Sequence, residues 1–150
     1  MSSSRADRLA PVIEMAERAE REAAKLLGQG QTQLTQAKNK LSELEQYFGD
    51  YQRQWMEQGA RGVSGDWLMN YQRFLSQLES AIGQQRRSVA WHENNLGKLR
   101  DQWQQRHARL EGLRKLVERY LREARVAADK REQRLLDEFS QRLASRSRHD

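Results

Sequence analysis

Residues 71 to 127, YQRFLSQLESAIGQQRRSVAWHENNLGKLRDQWQQRHARLEGLRKLVERYLREARVA, keep one spacing along their whole length. Steps of four and three link Leu75, Leu78, Ile82, Val89, Leu96, Leu99, Trp103, Leu110, Leu113, Val117, Tyr120 and Ala124. Such steps hold apolar side chains on one side of an α-helix and make a coiled-coil seam. Gln85, His92 and Arg106 stand on the same stripe, where a polar residue sets register at some cost in stability. A seam on so long a helix predicts a rod that presents surface to partners instead of enclosing a substrate.

N-terminal to this stretch a second seam reads Val12, Ala16, Ala19, Ala23, Leu26, then Leu34, Ala37, Leu41, Leu44, Phe48, Tyr51 and Trp55. The long step from Leu26 to Leu34 is a stutter that locally unwinds a supercoil, and Gly28 and Gly30 lie inside it. Pro11 suits a first helical turn, so helix one is expected to begin near Leu9 or Ala10. The run EQGARGVSGD, residues 57 to 66, offers Gly59, Gly62 and Gly65 for a chain reversal. Ser64 or Asp66 can cap the helix that follows. The expected fold is all-α: one elongated domain over residues 1–150, a long two-helix antiparallel coiled-coil hairpin. Helix one runs from about 10 to 57, the turn from 58 to 66 and helix two from about 67 to 146.

The second helix is the longer, on the order of 120 Å against roughly 70 Å for the first. With the turn centred near Gly62, helix one runs out opposite Arg114. Leu116, Val117, Tyr120, Leu121, Ala124, Ala128, Leu135, Leu136, Phe139 and Leu143 are then expected to lack a partner within the chain. Full burial of each large apolar side chain is worth roughly 1.5 to 3 kcal/mol, so the stripe implies association with another protein. Gly83, Gly97 and Gly112 interrupt helix two at about two-heptad intervals and could admit another helix closely.

Composition fits this layout. Hydrophobic residues make up 37% and charged residues 32% of the 150 residues, with one proline and no cysteine. That is poor material for a globular core but suits long helices, and it excludes disulfide and thiolate chemistry. No apolar run approaches a membrane span, and the opening MSSSRAD lacks the apolar core of a signal peptide, so a cytosolic protein is expected. The net charge is +6, yet Lys98 to Arg148 alone carries fifteen Lys and Arg against eight Asp and Glu. The basic excess of the C-terminal third suits an acidic partner.

Catalysis finds no support. There is no GxxxxGK[ST] phosphate loop, and His92, His107 and His149 are not spaced to hold zinc. Carboxylate pairs such as Asp137 and Glu138 would lie on a convex surface that cannot raise a pKa for acid–base work. A non-enzymatic protein without metal or cofactor is expected. Aromatic residues gather at the turn: Tyr47, Phe48, Tyr51, Trp55, Trp67, Tyr71 and Phe74. Part of this cluster can plug the hairpin, with Tyr47, Phe74 and Leu78 expected to face outward as anchors for a partner.

LLG at Leu26 to Gly28, the segment Tyr47 to Tyr51, WLMNYQRFLSQLESAI from Trp67 to Ile82 and LDEFSQRLASR from Leu136 to Arg146 resemble the flagellar FliJ family of type III export proteins. The resemblance implies a stalk-like coiled coil that inserts into the hexameric flagellar export ATPase, with Arg114, Arg119, Arg122 and Arg125 at the ring. It further implies that Leu44, Tyr47, Tyr51, Phe74, Leu78 and Ala81 meet the cytoplasmic domain of the membrane export gate, and that export chaperones bind. The implied location is cytoplasmic, held peripherally at the inner membrane through protein contacts. Two other readings differ. A homodimeric coiled-coil scaffold would cover the overhang with its own copy. Nucleic-acid binding is disfavoured because acidic residues alternate with the arginines and no separate basic arm exists.

Overall fold

The computed structural model describes residues 4–149, and these form two α-helices, α1 (Arg5–Gly59) and α2 (Gly65–His149). Helix α1 is 55 residues long and α2 is 85. The chain divides into two units, Arg21–Gln104 and the pair of segments Met1–Glu20 and Gln105–Asp150.

Arg21–Gln104 is an antiparallel hairpin. Its reversal rests on Gly62, whose φ of 83° is a left-handed conformation that a side chain would strain. Gly59 and Gly65 do not use that freedom. The N–H of Gly62 donates to the carbonyl of Gly59 at 3.2 Å, and that of Arg61 to Gln58 at 3.0 Å, which uses carbonyls left over at the end of α1. Ser64 is the cap of α2: its Oγ accepts from the Trp67 N–H at 3.2 Å and its carbonyl from the Leu68 N–H at 3.1 Å. The core holds Ala37, Tyr71, Leu78, Ile82 and Leu96, all on the stripe that the spacing marks out.

Register in this unit follows from side chains that meet across it. Trp55 stacks on Trp67 and Tyr51 on Tyr71, both with ring centroids 5.5 Å apart. Farther from the turn the Gln85 amide donates to the Ala37 carbonyl at 3.0 Å, an inter-helix bond that a one-turn slip would break. Lys38 and Glu93 approach to 3.9 Å and Arg86 and Glu45 to 3.4 Å. These exposed pairs are each worth well under about 1 kcal/mol and report alignment more than they create it. Gly30 is the closest approach. A Cβ there would lie 2.6 Å from Leu99 Cδ1 and 3.5 Å from Leu96 Cδ1, so the glycine makes room for two leucines. Through the stutter α1 stays an unbroken helix, in which Gly28 faces open space and Gly30 the seam.

In the other unit α1 starts at Arg5, not near Leu9 or Ala10, and Pro11 lies inside the helix. The reason is a cap: the Asp7 N–H donates to Ser4 Oγ at 3.1 Å, and Asp7 adds negative charge to the first turn. Pro11 leaves the Asp7 carbonyl without its helical donor, but the proline is exposed and water can substitute. The added turn carries the Arg5 guanidinium to 5.3 Å from the Tyr120 ring centroid. Ala16 and Leu110 are buried here, and Leu116, Val117 and Tyr120 are half-buried. Intrachain cover therefore extends past Arg114. From Leu121 to Arg148 every residue is exposed.

No side chain among the described residues is sealed completely from solvent, and no polar or charged one is buried. His92 is half-buried on the seam, with its Nδ1 out of contact with solvent and without a hydrogen-bond partner among the described residues. A polar atom in that position opposes stability while disfavouring other registers. Gly97 and Gly112 meet nothing within 4 Å, so α1 is not a helix that exploits them.

Candidate protein-binding surfaces

Beside the turn, Tyr47 and Tyr51 lie on one face of α1, and Trp67, Tyr71 and Phe74 on one face of α2, by their three- and four-residue spacings. Their rings form a continuous ladder. Trp55 contacts Trp67 and Tyr71 at 5.5 and 4.9 Å, Tyr51 contacts Tyr71 and Phe74 at 5.5 and 4.4 Å, and Tyr47 closes the series 6.4 Å from both Tyr51 and Phe74. Burial holds the Tyr71 phenol above its ordinary pKa, with the neighbouring Tyr51 adding to the shift, and keeps it a neutral ring in the stack.

The ladder separates residues that the sequence could only group. Tyr47 is 56% exposed and presents its ring to solvent, while Leu44, Tyr51, Phe74 and Ala81 are half-buried. Leu78, expected to face outward, is only 8% exposed. It stands four residues before Ile82 and seven after Tyr71, which places it on the seam under the surface rather than in it. Met56, Val63 and Met69 are exposed around the same turn and were not singled out by periodicity, since exposure at a turn leaves no periodic trace.

The arginines of the other unit also divide. Arg114 lies 3.9 Å from Glu17 and 3.2 Å from Glu111, and Arg119 lies 3.1 Å from Glu123, so both have carboxylate neighbours in their own chain. Arg122 and Arg125 border a shallow apolar surface with Glu118 and Leu121. Beyond them Val126, Leu135, Leu136, Phe139 and Leu143 are about half or more exposed on an otherwise charged helix. Such an array can bind protein through apolar contact and long-range charge. Among the described residues no group of three or more His, Cys, Asp or Glu could hold a metal ion, and no helix is long and apolar enough to cross a membrane.

The chain is similar to known proteins along almost its whole described length. A family model described as flagellar FliJ protein matches residues 4–149. The flagellar FliJ protein of Escherichia coli (strain K12) is 30% identical over 138 residues, 92% of this chain and 94% of that protein. That of Salmonella typhi is 29% identical over 133 residues, 89% and 90% of the two chains. The solved structure of a YscO homolog from Chlamydia trachomatis shares the fold, with a TM-score of 0.51 and 21% identity over 95% of this chain and 96% of that one. With a match that leaves almost no part of either helix outside it, the chain belongs to the flagellar FliJ protein family.

Proposed function

We infer that the chain is a non-enzymatic component of the bacterial flagellar type III export apparatus, acting by contact with other proteins. The observation that carries this reading is the segment Leu121–Arg148, a helix in which every residue is exposed and whose large apolar side chains remain about half or more exposed among the described residues. A hexameric export ATPase that receives this segment would cover Leu135, Leu136, Phe139 and Leu143. Arg122 and Arg125 would meet acidic groups of the ring, with Arg114 and Arg119 contributing once their intrachain partners are exchanged.

The aromatic ladder supports a second contact, to the cytoplasmic domain of the membrane export gate. Tyr47 is its exposed anchor; Tyr51 and Phe74 are half-buried beside it; Leu44 and Ala81 flank it; Leu78 acts from beneath by fixing the seam. Binding of export chaperones belongs to the same role, which places the chain in the cytoplasm and at the inner membrane through protein contacts. A contact that favours one nucleotide state of the ring is, by linkage, itself favoured by that state.

The test uses purified ATPase and full-length chain. Arg122→Glu with Arg125→Glu should weaken stimulation of ATP hydrolysis at least tenfold in half-saturating concentration, while the helical circular dichroism signal is retained. Unchanged stimulation would remove the ring assignment. If the uncovered segment instead pairs with its own copy, as in a homodimeric scaffold, sedimentation equilibrium will return twice the chain mass of 17.7 kDa at micromolar concentration.

A further inference from the structure

Trp91 stands off the seam of α2 and is 60% exposed, although tryptophan is the side chain with the most apolar area to lose from water. Its only ring neighbour among the described residues is His92, next in sequence, at 5.0 Å and edge-on. Nothing in the hairpin needs an indole there. The seam beside it is already filled by Val89 and Leu96, half-buried and buried.

The surroundings of Trp91 on its own helix face are fixed by spacing. The neighbours three, four and seven residues away are Gln84, Arg87, Ser88, Asn94, Asn95 and Lys98. None is acidic. Among the described residues neither Arg87 nor Lys98 pairs with a carboxylate; Arg87 folds back so that its Nη1 lies 3.9 Å from where a Cβ of Gly83 would be. Of the nearby carboxylates, Glu93 pairs with Lys38 and Glu45 with Arg86 across the seam, while Asp101, one turn beyond Lys98 and away from Trp91, makes no ion pair with that lysine among the described residues. The face thus offers one large apolar anchor, amide and hydroxyl groups, and two unneutralised cations that bracket the anchor by one turn on one side and two on the other.

We propose that this face of α2, centred on Trp91 between Arg87 and Lys98, docks an acidic amphipathic helix of a partner protein as a third strand of the coiled coil. Charge complementarity specifies the acidic sign, and an unbroken helical face several turns long specifies a helical occupant with an apolar groove for the indole. Nucleic acid is the poorer match. Arg87 and Lys98 are about 16 Å apart along the axis, too sparse to follow a phosphate backbone, and one indole is a short stacking platform. The site is separate from the aromatic ladder and from the Leu121–Arg148 segment, so it stands or falls independently of the contacts inferred there.

The experiment places a photoreactive benzophenone amino acid at position 91 of the full-length chain in its native cells, with position 90 as an exposed control. Adducts are sequenced by mass spectrometry. The expected result is a crosslink specific to position 91 that maps to a helical segment with net negative charge, lost at least tenfold in the R87E/K98E background. A synthetic peptide of that segment should bind the intact chain and bind Trp91→Ala at least tenfold more weakly, with circular dichroism unchanged. Adducts equal to those of position 90, adducts to nucleic acid, lipid, a basic segment or a second copy of this chain, or insensitivity to R87E/K98E would each overturn the proposal.

Discussion

At Gly28 and Gly30 the same residue type has opposite consequences two positions apart. A methyl group at Gly28 meets nothing within 4 Å, so Gly28→Ala should gain roughly 0.5 to 1 kcal/mol from backbone entropy alone. At Gly30 the added atom would press on Leu99 Cδ1 at 2.6 Å, and the leucine must turn away within a seam only two helices wide. Gly30→Val should therefore lose about 1 to 3 kcal/mol to overpacking, and Gly30→Ala should gain nothing; thermal melts of the three variants decide it. His92 carries a third residue-level expectation. Replacing its unpartnered seam nitrogen with Leu should raise stability by about 1 kcal/mol while loosening the register that polar residues enforce. A His92→Leu chain that melts earlier than wild type would mean that the imidazole has a hydrogen bond in solution. At the ladder, Tyr47→Ala should cut gate affinity at least tenfold and leave the melt unchanged, whereas Tyr51→Ala, which loses ring contacts to Tyr47, Tyr71 and Phe74, should lower the melt as well.

Element boundaries show which signals a sequence carries. The four-and-three spacing determined the stripe, and every buried apolar residue in α2 lies on it: Tyr71, Leu78, Ile82, Leu96 and Leu110. Pro11 is the conspicuous marker of a helix start and Ser4 with Asp7 three residues later the quieter one, yet it is the cap that sets the start of α1. The added turn sets Arg5 against Tyr120, and with Arg114 lying beside Glu17 rather than at the end of α1, cover reaches Tyr120. The reversal could be assigned to a glycine but not to Gly62, since the sign of φ depends on how both helices end. Leu78 is on the stripe by spacing and yet is expected to face outward as an anchor beside the aromatic cluster; its burial shows that the stripe decides. Among the described residues, the segment beyond Tyr120 is held by its own backbone bonds and by the pair that enters it, Arg119 with Glu123, worth a few tenths of a kcal/mol. Amide exchange should accordingly be fast from Leu121 to Arg148 and slow through Arg21–Gln104, and addition of the ATPase should protect the former. Slow exchange there in the free chain would mean that something already covers it.

For the whole molecule the governing asymmetry is charge. The formal total is +6, and because Lys98 to Arg148 contributes +7 the remaining residues are close to neutral. The two inferred contacts should then answer differently to salt. Association through the basic segment gains its rate from long-range attraction, which a Debye length of about 10 Å at 0.1 M and 3 Å at 1 M progressively removes. Association through Tyr47 and its neighbours rests on apolar area, which salt does not screen and sulfate strengthens. Surface-immobilised ATPase and gate domain, titrated with the same chain between 50 and 500 mM salt, should show the ATPase on-rate falling about tenfold or more and the gate on-rate holding within about twofold. The measurement requires no variant, so no loss of folding can imitate it. Parallel curves for the two partners would mean that one surface, or one kind of force, serves both. In that case the division between an apolar contact at the aromatic ladder and an arginine-rich contact at Leu121–Arg148 would have to be abandoned.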